Sequence, residues 1–345
     1  MVSLLCFIPY SAAAAYNGRV QRTVSVVNLS AITHNARYLK GLCRGATFMA
    51  VVKADAYGHG AERVALHIQH IADGFCVAIT DEGAALRIAG ITKPVLVLTP
   101  VTCAEDAAAA RFYGLDVTVN GVRPAKLCGG LNCHIKLNSG MNRYGCSLGE
   151  LPAVMRALQN AGAFVAGLFS HLYCPHIEGE RQAQLALFGQ AERLVKAEYP
   201  RAVCHLSATA GTMLGGRFLK EGVRCGIGLY GYAPAGFERG PLKPALTVYA
   251  RKVQTSPVVG GGAGYSVAQK KYSALSAYRA GYADGFFRTS PLGVGNLCMD
   301  AFVSEKGDEL LPVMADADEY AAACGTISYE VLCSVTKRSQ MVYTV

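Results

Sequence analysis

The order of apolar and helix-forming stretches predicts an α/β fold: an eight-stranded β/α (TIM-type) barrel with a second, mostly β C-terminal domain. Three observations carry the prediction. Short apolar runs recur at 46–53, 74–79, 94–99, 115–119, 132–138, 164–171, 202–208 and 222–228, and the stretches between them mostly have helical composition. Strands alternating with helices give right-handed βαβ units and a parallel sheet, and eight such units point to a closed barrel. No GxGxxG fingerprint follows the first strand, which disfavours an open dinucleotide-binding sheet. After about Tyr232 the rhythm changes: Pro234, Pro241 and Pro244 mark a linker, and β-rich runs follow. The expected organisation is an N-terminal extension over 1–23, a barrel over 24–240 and a mostly β domain over 241–345.

Taken in order, Val24 to Leu29 (VSVVNL) reads as a strand that is a candidate to join the C-terminal domain, and Ser30 as the N-cap of a helix from Ala31 to about Cys43. Met49 to Val52 is an apolar strand with Lys53 at its end. The chain then turns through Gly58 and Gly60 into a helical pattern, AERVALHIQHI. Further helical stretches span Glu82 to Ala89, Leu151 to Ala161 and Arg181 to Glu198. Beyond the linker, Ala245 to Thr255, Tyr272 to Arg279 and Asn296 to Ser304 are β-rich. The glycine run from Gly260 to Gly264 precedes no helical pattern and reads as a flexible loop rather than a phosphate cradle.

Composition narrows the function classes. The 345 residues are 52% hydrophobic and 17% charged, against roughly 25% charged in an average soluble protein, which implies a large buried interior or interface. The net charge of +9 is scattered. Clusters such as Gln269-Lys270-Lys271 and Lys337-Arg338 are short and not interleaved with aromatics, so a nucleic-acid partner has little support. The 13 cysteines form no CxxC pair and many lie in apolar runs, the usage of a reducing compartment, hence cytoplasmic. His171, Cys174 and His176 lack a second ligand pair and are not read as a metal site. Met1 to Ala15 is apolar and ends in small residues, like a signal h-region, but no lysine or arginine precedes Arg19. The remaining sequence holds no transmembrane stretch.

In a barrel of this kind, working residues sit at the C-terminal ends of the strands. Lys53 ends the first run, Lys136 and Asn138 the fifth, and His171 the sixth. Ser207 and Thr209 follow the seventh, and Gly226-Ile227 the eighth. A lysine at the tip of a buried strand is costly to desolvate, and its amine is pushed toward the neutral form that makes Schiff bases with carbonyl compounds, pyridoxal phosphate among them. The loops after strands seven and eight are a recurrent phosphate site, for which the Gly226 and Ile227 N–H groups and the Thr209 hydroxyl are suited.

Seven separated motifs, in order, resemble the alanine racemase family. KADAYGHG (Lys53 to Gly60) looks like its cofactor-attachment signature, KLNSGMNRYG (Lys136 to Gly145) its K-x-D-T/S-G-M-x-R-x-G segment, and GLFSH (Gly167 to His171) its strand ending in histidine. VRCGIGLYG (Val223 to Gly231), GYS (Gly264 to Ser266) with GYADG (Gly281 to Gly285), and CMD (Cys298 to Asp300) complete the set. The resemblance covers about Val24 to Tyr329. It implies pyridoxal 5'-phosphate on Lys53, with Tyr57, Thr209, Arg224, Gly226 and Ile227 as cofactor contacts and Arg224 facing the pyridine nitrogen. It further implies that Lys53 and Tyr265 are opposite bases, with Tyr265 entering the site of a second subunit of a homodimer. Arg143 would orient cofactor or substrate oxygens, steadied by Lys136 if carbamylated. His171 and His205 would support Arg224, and Tyr282 and the Met299 N–H would meet the substrate carboxylate.

The chemistry fits these residue types. A carbanion at an amino acid's α-carbon needs an electron sink, and inversion needs one acid/base group on each face. A permanent guanidinium at the ring nitrogen cannot accept the ring's proton, which limits charge build-up and favours prompt reprotonation. Tyrosine, with an ordinary pKa of about 10, needs a nearby cation to act as a base. The implied activity is interconversion of L- and D-alanine, with D-alanine going to cell-wall peptidoglycan. Ala208-Thr209 replaces the Asn-Ser of many relatives, the segment between Asp284 and Cys298 is short, and Lys337 stands where classical members have a second phosphate-side tyrosine. The alternatives are a serine or broad-specificity racemase, a decarboxylase on the same barrel, and a non-catalytic pyridoxal-phosphate carrier.

Overall fold

The computed structural model describes residues 23–345; the apolar stretch at 1–15 and the extension expected over 1–23 lie outside the described residues except for Thr23. The chain forms two compact units, one from Leu29–Ala245 and one that joins Thr23–Asn28 to Leu246–Val345. Among the described residues no helix is long and apolar enough to cross a membrane.

The first strand, β1 (Thr23–Asn28), belongs to the second unit and is described with it. The first unit is a closed parallel barrel of β2 (Thr47–Val51), β3 (Gly74–Val77), β4 (Val95–Pro100), β5 (Asp116–Val119), β6 (Asn132–Lys136), β7 (Phe164–Phe169), β8 (Val203–Ser207) and β9 (Gly222–Cys225). Each strand falls within or beside one of the eight apolar runs, and β9 pairs back onto β2 from Thr47↔Gly222 to Ala50↔Cys225. The strands are buried on both faces, as Phe48, Ala50, Phe75, Val95, Val117 and Ile135 show, because helices cover the outside and side chains fill the inside. Helices at Leu29–Leu42, Ala61–Ile68, Thr80–Ile88, Ala104–Tyr113, Leu151–Asn160 and Glu178–Glu198 form the outer layer. One boundary differs from expectation: the first helix starts at Leu29, so Ser30 lies in its first turn instead of capping it.

The second unit is built on a six-stranded sheet. Its members β10 (Leu246–Pro257), β13 (Ala274–Tyr278), β14 (Phe302–Ser304), β15 (Leu310–Met314) and β16 (Ser339–Thr344) surround β1, which runs antiparallel to β10 and parallel to β16. The strand near Val24 therefore lies in the C-terminal sheet. Two findings correct the sequence reading. The glycine run is not a loop throughout: β11 (Gly262–Ala263) and β12 (Ser266–Val267) pair as a hairpin. Its two-residue tip is Gly264-Tyr265, and Gly264 has the positive φ (57°) that a first central residue of a tight hairpin turn needs. Strand structure in the run 296–304 is confined to β14, because Cys298 N–H bonds Ala301 O across a turn. Helical structure also returns near the C-terminus, at Ala317–Cys324, capped by the Asp316 carboxylate, and at Ser328–Ser334.

Candidate active site

The barrel's C-terminal mouth is organised around the turn that follows β2. Val52 leads into Lys53–Gly58, in which Ala54, Asp55, Ala56 and Tyr57 all have left-handed backbone angles, φ 51–54° and ψ 42–51°. Each L-residue held there costs roughly 1–2 kcal/mol, so the surroundings must fix the turn. The Glu82 carboxylate accepts Ala54 N–H (2.7 Å) with one oxygen and Ala78 N–H (2.6 Å) with the other, tying the turn to the end of β3. Asp55 Oδ1 accepts Ala61 N–H (2.7 Å) at the start of the next helix. The His59 ring, fully buried, bonds through Nδ1 to the carbonyls of Ala56 and Tyr57, both at 3.0 Å. Burial lowers its pKa from the ordinary 6.5 to about 4, so the ring is neutral and Nδ1 carries the donor hydrogen. Tyr230 closes the cluster. Its ring packs on Tyr57 (4.8 Å) and His59 (4.5 Å), and its hydroxyl donates to Val51 O at 2.8 Å. The backbone on either side of Lys53 is thereby held by Glu82 and Tyr230 from other parts of the barrel and by His59 at the end of the turn itself.

Beside this turn, Tyr57 lies over the bare backbone after β9. A Cβ on Gly226 would meet the Tyr57 hydroxyl at 2.5 Å, and one on Gly228 would meet Thr209 Cγ2 at 2.7 Å. Thr209 Oγ1 accepts Gly228 N–H at 3.3 Å. Gly226, Ile227, Thr209 and Tyr57 thus meet at one cradle that only glycine leaves open, a fit for the phosphate of the implied cofactor.

A cluster of cations fills the mouth between β6 and β9. Arg224 is buried, with Nη1 donating to His205 Nδ1 (2.7 Å) and His205 O (3.0 Å) and Nη2 to Ser170 O (2.6 Å) and Leu206 O (3.3 Å). Burial lowers even this guanidinium to about 10. Lys136, also buried, lies over the Phe169 ring at 4.4 Å, and Arg224 approaches that ring to 5.0 Å. Burial first, then Arg224 and Arg143, push the Lys136 amine well below its usual range. Burial also lowers His171 strongly, with Arg224, Lys136, Arg143 and Lys53 adding to the effect. Arg143 itself is exposed, on a loop tightened by Asn138 Oδ1, which accepts from Gly140 and Asn142 N–H. Among the described residues no carboxylate pairs with Arg224 or Lys136.

Tyr265, Tyr282 and Met299 gather in the second unit. Tyr265, at the hairpin tip, is 82% exposed. Tyr282 N–H bonds Cys298 O (3.1 Å) and Ala283 N–H bonds Met299 O (3.0 Å), so the GYADG segment lies directly on the CMD loop. A Cβ on Gly281 would stand 2.3 Å from Met299 O, which explains that glycine. Tyr265 and Tyr282 line a cleft of about 470 Å³ with Arg288, Asn296 and Leu297. Arg288, Asn296 and Glu82 carry no signal in the sequence; Glu82 and Asn296 meet partners 28 and 30 residues away. Arg338, next to Lys337, reaches Asp284 and Asp300, both at 3.3 Å, and braces the same two segments.

The fold and these residues define a β/α-barrel enzyme with a strand-end lysine beside a buried cationic pocket. Residues 27–234 match the family model described as alanine racemase, N-terminal domain. The chain is 33% identical to an alanine racemase of Streptococcus uberis, over 92% of this chain and 96% of that protein. It resembles the crystal structure of alanine racemase from Corynebacterium glutamicum with a TM-score of 0.82 and 31% identity, covering 94% of this chain and all of that one (100%). A Bacillus anthracis alanine racemase structure with bound L-Ala-P gives a TM-score of 0.84 at 26% identity, with 95% and 96% coverage. The chain belongs to the alanine racemase family.

Proposed function

We propose that this chain interconverts L- and D-alanine by a two-base, pyridoxal-phosphate-dependent mechanism, as a homodimer in which the partner's Tyr265 completes each site. The observation that carries the reading is Arg224: a buried guanidinium bonded only to carbonyls and one neutral imidazole, at the mouth that Lys53 enters. When bound, pyridoxal phosphate supplies the electron sink that makes an amino acid's α-hydrogen acidic. Lys53 would hold it covalently. The Gly226–Gly228 backbone, Thr209 and Tyr57 would hold its phosphate, and Arg224 would donate to its ring nitrogen.

The remaining work falls to side chains of this chain. Arg224 only donates, so at a ring nitrogen it would hold a hydrogen bond to an unprotonated acceptor and supply no proton of its own. The Lys53 amine would move a proton on one face of the substrate, and Tyr265 would move one on the other. Lys136 and Arg143 orient oxygens, and Tyr282 with Met299 N–H bounds the substrate carboxylate. The exposed hairpin at Tyr265 and Val267 supports a role at a subunit interface. The twelve described cysteines are free, which supports a cytoplasmic enzyme supplying D-alanine to peptidoglycan.

Hybrid dimers test the arrangement. Lys53→Ala and Tyr265→Phe chains are each inactive alone, but mixed and exchanged they recover racemase activity, because one site then holds both native bases. No recovery would place both bases in one chain. Turnover of L-alanine against L-serine and L-lysine tests the substrate, and a preference for either of the others overturns alanine.

A further inference from the structure

Arg224 is the only one of four polar groups lined up in the barrel interior that the proposed chemistry uses directly. His205 bonds Arg224 through Nδ1 and His134 Nδ1 through Nε2, the latter at 2.8 Å. His134 Nε2 faces Asp116 Oδ2 at 3.7 Å, and Asp116 Oδ1 accepts from Asn132 Nδ2 at 3.0 Å. We propose that His134 and Asp116 are positioning residues for Arg224, the far members of a relay Arg224–His205–His134–Asp116. The inference rests on the reading of Arg224 as the group that faces the cofactor ring.

Donor chemistry gives the relay one direction. Arginine only donates, so His205 Nδ1 must accept and its single proton must sit on Nε2. That proton points at His134 Nδ1, which must therefore also accept, leaving the His134 proton on Nε2, toward the carboxylate. All three contacts agree with two neutral rings. A protonated His134 would instead present N–H to His205, drive the His205 proton onto Nδ1, and set it against the Arg224 N–H. Burial, then the charge of Arg224, disfavour the charged form of His205.

The backbone is shaped for this contact. His134 and His205 lie on β6 and β8, with β7 between them. The β7 residue in register with His134 is Gly167. A Cβ there would stand 2.2 Å from His134 Nδ1 and 2.7 Å from Val203 O, so the two rings meet over β7 only because residue 167 has no side chain. The His205 ring is also stacked on Phe169 (4.9 Å, 3°), which fixes the plane in which its two nitrogens point. Asp116 opens β5, at the opposite end of the strands from Lys53. A negative charge there compensates a buried cation that touches no carboxylate, through two oriented imidazoles, much as ligand-orienting partners act behind a metal's histidines.

Ring-nitrogen NMR of ¹⁵N-histidine-labelled apoenzyme and loaded enzyme, with steady-state kinetics on alanine, tests the relay in wild type, His134→Leu, His134→Gln and Asp116→Asn. Wild type shows His134 and His205 neutral and protonated on Nε2, and the His205 proton is slow to exchange. In His134→Leu that protection is lost and kcat falls on the order of tenfold to a hundredfold, with KM little changed. His134→Gln keeps an acceptor and a donor and restores both. Asp116→Asn keeps the shape without the charge and lowers kcat in the same direction, a comparison that stands even if His134→Leu does not fold. The proposal is overturned by a His205 proton on Nδ1, by wild-type kcat in either His134→Leu or Asp116→Asn, or by His134→Gln behaving like His134→Leu. If wild type does not racemise alanine the functional reading fails, while the apoenzyme spectra still decide the relay.

Discussion

Ala54, Asp55, Ala56 and Tyr57 occupy the left-handed region in succession although none is glycine. No propensity favours this. The turn exists because Glu82, Asp55 and His59 satisfy its backbone groups and Tyr230 packs against it. Ala54 is exposed, so its contribution to strain can be isolated. Ala54→Gly should leave stability unchanged or raise it by up to about 1 kcal/mol, since relieved strain outweighs the added chain entropy. Ala54→Val should lower it by about 2 kcal/mol or more, because a β-branched residue is poorly tolerated at positive φ. Denaturant unfolding of both variants checks the pair. Lys53 was legible as a strand-end amine, but the handedness of the turn was not. His59 lies within the motif itself, but Glu82 and Tyr230 reach the turn from far along the chain, and no local pattern announces them.

Among the elements, the barrel strands were the most legible part of the chain. Parallel strands covered on both faces carry unbroken apolar runs, which is why all eight could be placed. The second unit was harder. The hairpin Gly262–Val267 has only two residues per strand, and the short helix Ala317–Cys324 is alanine-rich with a weak apolar stripe. Arg224 and the cradle after β9 were found by motif, while their partners His134 and Asp116 are single polar residues inside other strands and gave no signal. The cradle makes its own prediction. Gly226→Ala places a methyl 2.5 Å from the Tyr57 hydroxyl. It should weaken pyridoxal-phosphate binding by at least about tenfold, as read by absorbance titration, and leave the thermal unfolding of the apoenzyme nearly unchanged. Equal losses in both would mean that Gly226 serves packing alone.

For the whole molecule, the buried histidines set a direction for acid sensitivity. His59, His171 and His205 are all held neutral, their folded pKa values below the unfolded 6.5. Below pH 6.5 the unfolded chain binds protons that the folded chain refuses, so stability is full above that pH and falls as pH drops toward the folded values. For His59 alone, a shift from 6.5 to about 4 corresponds to about 3 kcal/mol across that window. Unfolding free energy measured from pH 7 to 4 should therefore decline steeply, and His59→Gln should flatten the decline. An unchanged slope in that variant would contradict a neutral buried ring.

In the proposed reaction Lys53 and Tyr265 work on opposite faces of the substrate's α-carbon. The most direct test of this arrangement follows α-hydrogen exchange of L- and D-alanine in deuterated water with wild type and Tyr265→Phe, each loaded with pyridoxal phosphate. Wild type should exchange and invert both enantiomers. Tyr265→Phe should lose inversion by orders of magnitude while one enantiomer alone, the one whose hydrogen faces Lys53, still exchanges. Exchange and inversion of both enantiomers at the wild-type rate would contradict the two-base mechanism.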